Sequence, residues 1–429
     1  MCQSSIFIVK SVYKNLKDKA MIKAQRGTKD ILPENVLTWQ RIEKTARELF
    51  QRANYKEIRT PIFEATELFC RGVGDSTDIV NKEMYTFSVG GQNKDENSIT
   101  LRPENTAGVV RAFIEHGFSR QSAPVKFWYF GPMFRYERPQ KGRQRQFHQI
   151  GVEMFGVDSP SADAEVIALA SKFLSEMGIK ELVAEINSLG CTKCRDEYKA
   201  RIKEALKPYL NELCEDCKVR YEKNPLRMLD CKNEDCAKIF ERDEIKKVIL
   251  ADFICEECRE HYEAVKKYLD TLGIKYTENK MLVRGLDYYN RTVFEIKSDA
   301  LGSQSAVAGG GRYDGLVEML GGEKTPAVGF ALGVERLYEL VAHTEEEKLD
   351  YFVVSNLQDK AIETVQYLRD LNKSADFDFQ NRKFGKQLEK AGKTAKAAVI
   401  IGEDEISGGY YTVKNLETGE QKKVQKAEL

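Results

Sequence analysis

The sequence predicts an α+β fold: a large antiparallel sheet flanked by helices, a helical cysteine-rich insertion, and a small α/β domain at the C-terminal end. Two observations predict the sheet, namely many short aromatic-rich runs bounded by glycine or proline, and a pair of such runs around one basic loop. A third observation predicts the appended domain. From about residue 348 the pattern changes to strand, helix, strand, helix, strand.

Length and charge limit the class of protein. The 429 residues allow about three domains, and Lys plus Arg equals Asp plus Glu at 67 each. Any contact with nucleic acid must therefore depend on local basic patches. No apolar run approaches the roughly 18 residues of a membrane span, so we expect a cytoplasmic protein. Residues 1–20 lack amphipathic periodicity and are expected to be a disordered tail or to precede the true start at Met21.

The first predicted elements lead to a strand-to-helix junction. Periodic apolar residues predict a helix over residues 37–52, and β-type residues predict a strand over residues 55–62 that Pro61 interrupts. A short strand at residues 100–102 then leads through Pro103 into a helix over residues 106–116. Glu104 lies at this junction, where functional side chains tend to concentrate.

A basic hairpin follows. Residues 127–134 and 147–155 predict two paired strands, and a polar loop at residues 138–145 has Gly142 at its tip. Arg135, Arg143 and Arg145 lie at the strand ends or in the loop. Because the guanidinium fork binds phosphate and carboxylate oxygens in two-pronged fashion, the hairpin is predicted to hold polyphosphate. The alternative is a solvated charged loop, but such loops usually balance their signs, and in this hairpin Glu137 is the only acid before Glu153.

The later part of the sheet is predicted from shorter signals. A helix is expected over residues 162–177 and a strand over residues 182–187. After the charged segment at residues 190–265, strands are expected at residues 280–284, 292–296 and 305–309, and a helix over residues 329–341.

Two glycine-containing segments supply further candidate ligands. RGLDYY at residues 284–289 offers the Arg284 cation and the Tyr288 and Tyr289 phenols to one small polar ligand. AGGGRYD at residues 308–314 lets the backbone approach a ligand closely, although a bulge or tight turn is the alternative. Arg336 adds a further cation, for which an ordinary helix ion pair is the alternative.

The cysteines form a pattern within residues 191–258. Four close pairs are present there: Cys191 with Cys194, Cys214 with Cys217, Cys231 with Cys236, and Cys255 with Cys258. Three pairs have the Cys-x-x-Cys spacing that lets two thiolates reach one metal ion, so two four-cysteine zinc sites are feasible. Reduced cysteines without a role are the alternative in a cytoplasmic protein, and the sequence leaves the metal content open.

Over residues 21–429 the chain closely resembles bacterial histidyl-tRNA synthetases, which are class II aminoacyl-tRNA synthetases. The resemblance rests on LRPENTAGVVR at 101–111, FRYERPQKGRQRQFHQIGVE at 134–153, RGLDYY at 284–289 and GFALGVERL at 329–337. It implies a class II catalytic domain at residues 21–189 and 266–345 and an insertion at 190–265. It further implies an anticodon-binding domain at 348–429 and a homodimer joined through the Pro61 region.

The resemblance also implies the roles of individual residues in activating L-histidine with ATP. Arg135, Arg284 and Arg336 would be catalytic: Arg135 on the α-phosphate and the histidine carboxylate, Arg284 across the same phosphate, and Arg336 at the γ-phosphate, with Mg²⁺ on the departing pyrophosphate. Glu137 would face the adenine amino group, and Arg143 would complete the ATP site. The implied histidine pocket consists of Glu104, Thr106, Arg135, Gln149, Glu153, Arg284, Tyr288 and Tyr289. Gln140 and Arg145 would meet the acceptor end of the histidine tRNA.

Two other function classes compete with this interpretation. A non-catalytic paralogue, such as the regulatory subunit of ATP phosphoribosyltransferase, typically lacks the catalytic arginines and the C-terminal domain, both of which this sequence retains. A plain RNA-binding module made by the basic hairpin predicts no use for Glu104, Tyr288 and Tyr289. The sequence therefore favours a histidine-activating enzyme.

Overall fold

The computed structural model describes residues 21–74, 77–88, 98–140, 142–231, 233–250, 252–298, 306–345 and 347–429. The predicted tail at residues 1–20 lies outside these residues. The chain forms two compact units, which divide between Thr344 and Glu345. Among the described residues, no helix combines the length and apolarity needed to cross a membrane.

The first part of the larger unit alternates helices with the strands of two sheets. Its elements are α1 (Pro33–Arg52), β1 (Lys56–Glu57), β2 (Phe63–Ala65), α2 (Thr66–Val73), β3 (Tyr85–Ser88), β4 (Ser98–Leu101), α3 (Thr106–Glu115), β5 (Val125–Phe134), β6 (Gln146–Phe155), α4 (Pro160–Glu176) and β7 (Leu182–Ser188). Helix α4 begins at a favourable sequence, because the Ser159 hydroxyl accepts a hydrogen bond from the Ser161 amide at 3.3 Å and Pro160 occupies the first turn.

The inserted segment is helical, as predicted. It contains α5 (Thr192–Leu206), α6 (Glu215–Lys223), α7 (Glu234–Phe240) and α8 (Asp243–Leu250), and α9 (Glu256–Thr271) returns the chain to the sheet. Its apolar side chains form a small core of their own around Tyr198, Ile202, Met228 and Phe240.

The remaining elements complete the large sheet: β8 (Tyr276–Glu278), β9 (Asn290–Ser298), β10 (Ala306–Arg312), α10 (Leu316–Met319), β11 (Ala327–Gly333) and α11 (Val334–Tyr338). Eight described strands pair in the order β1-β5-β6-β11-β10-β9-β7-β8. The neighbours are antiparallel except at the two edges, where β1 pairs with β5 and β7 with β8 in parallel. The predicted antiparallel sheet is therefore confirmed, and α1, α4 and α9 contribute to the apolar core packed against it.

Three predicted elements are wrong. Residues 280–284 are not a strand, because the Asn187 side-chain amide donates to the Lys280 and Leu282 carbonyls at 3.3 and 2.9 Å and holds this segment in a turn; the strand ends at Glu278. Residues 329–341 are not one helix, because the segment begins as the central strand β11. The strand predicted over residues 55–62 is only the two-residue β1, and beyond it single backbone hydrogen bonds, from the Ile58 amide to the Trp128 carbonyl and from the Arg102 amide to the Ile62 carbonyl, precede β2.

The smaller unit, Glu345–Leu429, has the predicted α/β pattern. Its elements are β12 (Leu349–Ser355), α12 (Gln358–Asp370), β13 (Ala375–Phe377), α13 (Phe384–Thr394), β14 (Ala395–Ile401), α14 (Glu403–Gly408), β15 (Tyr411–Asn415) and β16 (Gln421–Val424). The sheet order is β13-β12-β14-β15-β16, parallel among the first three strands and antiparallel in the last two pairings. The antiparallel pair β15–β16 was not predicted from the sequence.

Candidate active site

One cleft in the larger unit brings together most of the predicted site residues. Its volume is about 1610 Å³, and it is bordered by the middle strands of the large sheet, the hairpin loop and the insertion. The predicted residues that line it are Glu104, Thr106, Arg135, Glu137, Arg143, Gln149, Arg284, Tyr288, Tyr289 and Arg336. Glu153 lies directly behind this surface, hydrogen-bonded to Thr106.

The closed end of the cleft is the acid pocket, which we define as Glu104, Thr106, Glu153, Tyr288 and Tyr289. All five residues are at most 7% exposed. The Glu104 carboxylate accepts hydrogen bonds from the Thr106 and Ala107 amides at 2.7 and 2.9 Å, so it is fixed at the start of α3. The Thr106 hydroxyl in turn donates to Glu153 at 2.9 Å. Hydrogen bonds thus fix both acids and Thr106 in one arrangement.

Burial changes the protonation of both acids. It raises the pKa of Glu153 to about 8, against which hydrogen bonds from the Tyr313 and Thr106 hydroxyls act. Burial also raises the pKa of Glu104, while the amides of Ala107 and Thr106 and the charge of Arg135 act in the opposite direction. At neutral pH Glu153 is therefore mostly protonated in the empty pocket, and a cationic ligand would favour its ionisation.

Two glycines are required by the close approach of these side chains. A Cβ at Gly329 would lie 1.9 Å from the Glu153 carboxylate, since β11 runs beside β6 at this point. A Cβ at Gly309 would lie 2.4 to 2.5 Å from the Arg284 guanidinium. Gly309 thus makes room for Arg284, and the strand is irregular at the end of the glycine run, where its register with β9 shifts between Gly311 and Arg312.

Arg284 lies across the glycine strand, where Glu295 holds it. Its Nη1 donates to the Glu295 carboxylate, and the Arg284 side chain remains 23% exposed on the cleft side. Its Nε and the side-chain oxygen of Gln149 are buried without a hydrogen-bond partner among the described residues, and both residues line the cleft. Buried polar atoms of this kind normally have partners, so a bound ligand is expected to supply them.

The open end is the arginine rim, which we define as Arg135, Arg143, Arg336 and the acid Glu137. Arg135 follows β5, donates from Nε to the Pro103 carbonyl at 2.8 Å and lies over the Phe147 ring at 5.1 Å. Arg143 is 37% exposed and lies 3.5 Å from Glu137. Burial and the nearby charge of Arg143 lower the pKa of Arg336. This end of the cleft therefore carries three cations, with Glu83 and Glu137 among the acids in its lining.

The two remaining predicted residues lie on the hairpin loop rather than among the described residues that line the cleft. Gln140 is exposed and pairs through its backbone with Arg143. Arg145 lies over the Tyr136 ring at 4.1 Å, and its amide donates to the Gly27 carbonyl at 2.7 Å. Arg145 thereby ties the loop to the segment around Gly27.

Sequence reasoning missed several residues of the site. Tyr313 and Tyr129 donate hydrogen bonds to Glu153, and Glu295 positions Arg284. Tyr313 belongs to the AGGGRYD segment at residues 308–314, and its place in that segment is the sequence signal for a role in the site. Tyr129 and Glu295 lie inside strands, and only the strand register brings them to the cleft.

The site and the fold together define the class of protein. A largely antiparallel sheet with a cleft of buried acids and half-buried arginines, in one chain with a second α/β unit, is the architecture of a class II aminoacyl-tRNA synthetase. The family model described as histidyl-tRNA synthetase matches residues 27–337, and the one described as anticodon binding domain matches residues 345–429. The chain therefore belongs to the histidyl-tRNA synthetase family, and its smaller unit is an anticodon-binding domain.

Individual relatives support this assignment along the whole chain. The histidine–tRNA ligase of Halothermothrix orenii is 49% identical over 417 residues, which cover 95% of this chain and 98% of that protein. The histidine–tRNA ligase of Aquifex aeolicus is 49% identical over 411 residues, covering 95% and 100%. The crystal structure of apo histidyl-tRNA synthetase from Staphylococcus aureus matches with a TM-score of 0.77 at 40% identity, covering 94% of this chain and 97% of that one.

Proposed function

We propose that this protein is a histidine–tRNA ligase, which activates L-histidine with ATP and then transfers histidine to the 3′ end of its cognate tRNA. The observation that carries the proposal is the pairing, in one cleft, of the buried acid pocket with the arginine rim. The acid pocket suits a small polar cation, and the arginine rim suits a polyphosphate.

The acid pocket binds the amino acid. The α-ammonium group of histidine meets Glu104, while Glu153 acts on it from behind Thr106, and the imidazole meets Tyr288, Tyr289 and the unpaired oxygen of Gln149. Because these groups are buried, an amino acid without a matching donor or acceptor leaves them unpaired. Such a mismatch lowers reaction efficiency by factors of about 10⁴ or more.

The arginine rim and Arg284 bind ATP and the reacting groups. One oxygen of the histidine carboxylate attacks the α-phosphorus, and the bond from that phosphorus to the bridging oxygen of pyrophosphate breaks. Arg135 and Arg284 bind the α-phosphate oxygens, where charge develops, and Arg135 also aligns the carboxylate. Arg336 and Arg143 bind the departing pyrophosphate, and Glu137 accepts a hydrogen bond from the adenine amino group. Catalysis is by alignment and charge stabilisation.

Mg²⁺ fits the open end of the cleft. Among the described residues, no group of three acidic or imidazole side chains converges to form a metal site there. A site with few protein ligands is typical of Mg²⁺ that enters with nucleotide phosphates. Glu83 and Glu137 line this end and could share such an ion. When bound, Mg²⁺ neutralises charge on the departing pyrophosphate.

The tRNA is held at two places. Gln140 and Arg145 on the hairpin loop contact the acceptor end, and the smaller unit reads the anticodon. This substrate places the enzyme in the cytoplasm. The support for the first contact is that Gln140 is exposed on a loop whose base is fixed by Arg145.

A homodimer forms through the Pro61 region. Just beyond Pro61, the side chains of Ile62 and Phe63 are 44% and 57% exposed. Phe63 lies in β2 and Phe87, which is 49% exposed, lies in β3; both strands belong to a three-stranded sheet with the order β2-β4-β3. Exposed apolar side chains grouped in this way are typical of an interface. Light scattering is expected to give twice the chain mass for the wild type and the single chain mass for Phe63→Glu; a wild-type monomer would contradict the dimer.

Exchange of labelled pyrophosphate into ATP, with each of the twenty amino acids supplied separately and no tRNA, tests the central activity. Exchange with histidine alone is expected. Exchange with a different amino acid would overturn the assignment of the pocket. No exchange by the folded protein would favour the non-catalytic regulatory paralogue.

A further inference from the structure

The eight cysteines of the insertion meet as two groups of four. The first group is Cys191, Cys194, Cys255 and Cys258, and the second is Cys214, Cys217, Cys231 and Cys236. Within each group all four Sγ atoms lie within 4.8 Å of one another. The first group joins the two ends of the insertion, since its pairs are separated by about sixty residues of sequence, while the second lies wholly inside it.

The sulfur separations fit a shared metal ion. Cys191 Sγ and Cys194 Sγ are 3.6 Å apart, and Cys214 Sγ and Cys231 Sγ are 3.8 Å apart. Zn–S bonds of about 2.3 Å in a tetrahedral site place the sulfurs about 3.8 Å apart. A disulfide requires about 2.05 Å, and the described cysteines are all free thiols.

Backbone amides point at the sulfurs in both groups. In the first group the Cys191 amide donates to Cys258 Sγ at 3.2 Å, and the Cys255 amide donates to Cys194 Sγ at 3.1 Å. In the second group the Cys214 amide donates to Cys236 Sγ at 3.3 Å. Amide donors favour the charged thiolate, which is the form of cysteine that binds metal.

We propose that each group binds one structural Zn²⁺ ion. Four thiolates in a closed tetrahedral arrangement suit zinc and leave no open position for catalysis. The insertion has only a small apolar core, so metal binding would contribute directly to its folding.

The second zinc site also supports the active site. Cys214 and Cys231 border the cleft. Between them in sequence, the Asn224 side chain donates to Asp287 at 2.8 Å, and Arg227 donates to the Arg284 carbonyl at 2.9 Å. Zinc in the second group therefore fixes the loop that holds the backbone of the segment carrying Arg284.

Metal analysis of the purified full-length protein by mass spectrometry tests the proposal. We expect two zinc ions per chain in the wild type and in the control Cys70→Ser, whose cysteine lies outside both groups. The double variants Cys191→Ser/Cys194→Ser and Cys214→Ser/Cys217→Ser are each expected to retain one. One zinc ion or none per folded wild-type chain, or two in either double variant, would overturn it.

A second measurement needs no variant to fold. Titration of the wild type with an organic mercurial is expected to release two zinc ions as the eight thiols of the two groups react. A zinc-sensitive dye measures the release. Reaction of those thiols without zinc release, or release of iron in its place, would overturn the proposal. Hydrogen exchange tests the support of the active site. Residues 284–287, which the loop between Cys214 and Cys231 contacts, should exchange faster in Cys214→Ser/Cys217→Ser than in Cys191→Ser/Cys194→Ser, whereas Tyr289 also contacts Arg195 beside the first group. Equal exchange of residues 284–287 in the two variants would contradict this support.

Discussion

The acid pocket and the arginine rim lie in the same cleft but differ in burial, charge and partners. The acids of the pocket are at most 3% exposed and accept hydrogen bonds from the protein itself. In the rim the Arg143 side chain is 37% exposed and lies 3.5 Å from Glu137, and three arginines line this part of the cleft. The protein's own hydrogen bonds fix the acids of the pocket before a ligand arrives, whereas the rim presents guanidinium charge to the cleft.

We infer from this difference that the acid pocket selects the amino acid and that the arginine rim serves its activation with ATP. A buried, hydrogen-bonded pocket discriminates strongly, because a wrong ligand leaves polar atoms unpaired. An exposed set of guanidinium groups binds phosphate tightly but discriminates little between nucleotides. Arg284 lies between the two kinds of site: Glu295 fixes it, yet the residue lines the cleft, and its Nε is buried without a hydrogen-bond partner among the described residues.

Removal of Arg284 should have the largest effect, because this side chain serves both ends of the cleft. In Arg284→Ala we expect the rate of histidine-dependent pyrophosphate exchange to fall by about 10³, the usual cost of losing a group that stabilises developing charge. The control is Arg52→Ala, which removes an exposed ion pair with Glu176. Retention of more than a tenth of the wild-type rate would contradict the role of Arg284.

A methyl group at Gly309 should disturb the same guanidinium without removing it. The added Cβ would lie 2.4 Å from an Arg284 nitrogen, so the side chain must move. We expect Gly309→Ala to lower exchange by about 10², because misplacement of a positioned group by an ångström has effects of this size. Gly315→Ala is the matched control, since a Cβ there meets nothing within 4 Å. Equal activity of the two variants would show that Arg284 is not fixed by the glycine strand.

Glu153 should make the empty protein less stable as the pH rises. Its pKa is raised from 4.5 to about 8, so its contribution is complete below pH 4.5 and is lost as the pH rises through 8. Between pH 6 and pH 8 the free energy of unfolding of the wild type should fall, relative to Glu153→Gln, by about 2 kcal/mol. Urea unfolding measures this, with the exposed Glu48→Gln as control. A constant difference between wild type and Glu153→Gln would mean that Glu153 is ionised throughout.

A conservative change in the rim should have the smallest effect. Arg336→Lys keeps the charge but loses the two-pronged geometry, and we expect the KM for ATP to rise about tenfold, equivalent to about 1.4 kcal/mol. The KM for histidine should change less than twofold, and Arg52→Lys should change neither. A rise in the KM for histidine equal to that for ATP would contradict the separation of the two ends.

The sequence predicted the residues of the arginine rim better than the residues that support the acid pocket. Arg135, Arg143 and the loop between them follow from a local pattern of charge between two strands, and local patterns are visible in one sequence. The hydrogen bonds of Tyr129 and Tyr313 to Glu153 depend on strand register and on contacts between distant segments, so no local pattern reveals them.

The wrong predictions at residues 329–341 and 280–284 have the same origin, because contacts with distant segments decide the structure of both. The GFALG run of β11 contains no β-branched residue, and a short apolar run does not distinguish a buried strand from a helix. Its identity as a strand depends on its position between β6 and β10. Residues 280–284 looked like a strand, but the Asn187 side chain takes the carbonyl contacts that a neighbouring strand would have made.

Separate titration of L-histidine and of a non-hydrolysable ATP analogue tests the division of the cleft most directly. The proteins to compare by calorimetry are the wild type, Glu153→Gln and Arg336→Lys. We expect Glu153→Gln to weaken histidine binding at least tenfold and ATP-analogue binding less than twofold, and Arg336→Lys to do the reverse. Equal weakening of both ligands by both variants would contradict the assignment of amino acid and nucleotide to opposite ends.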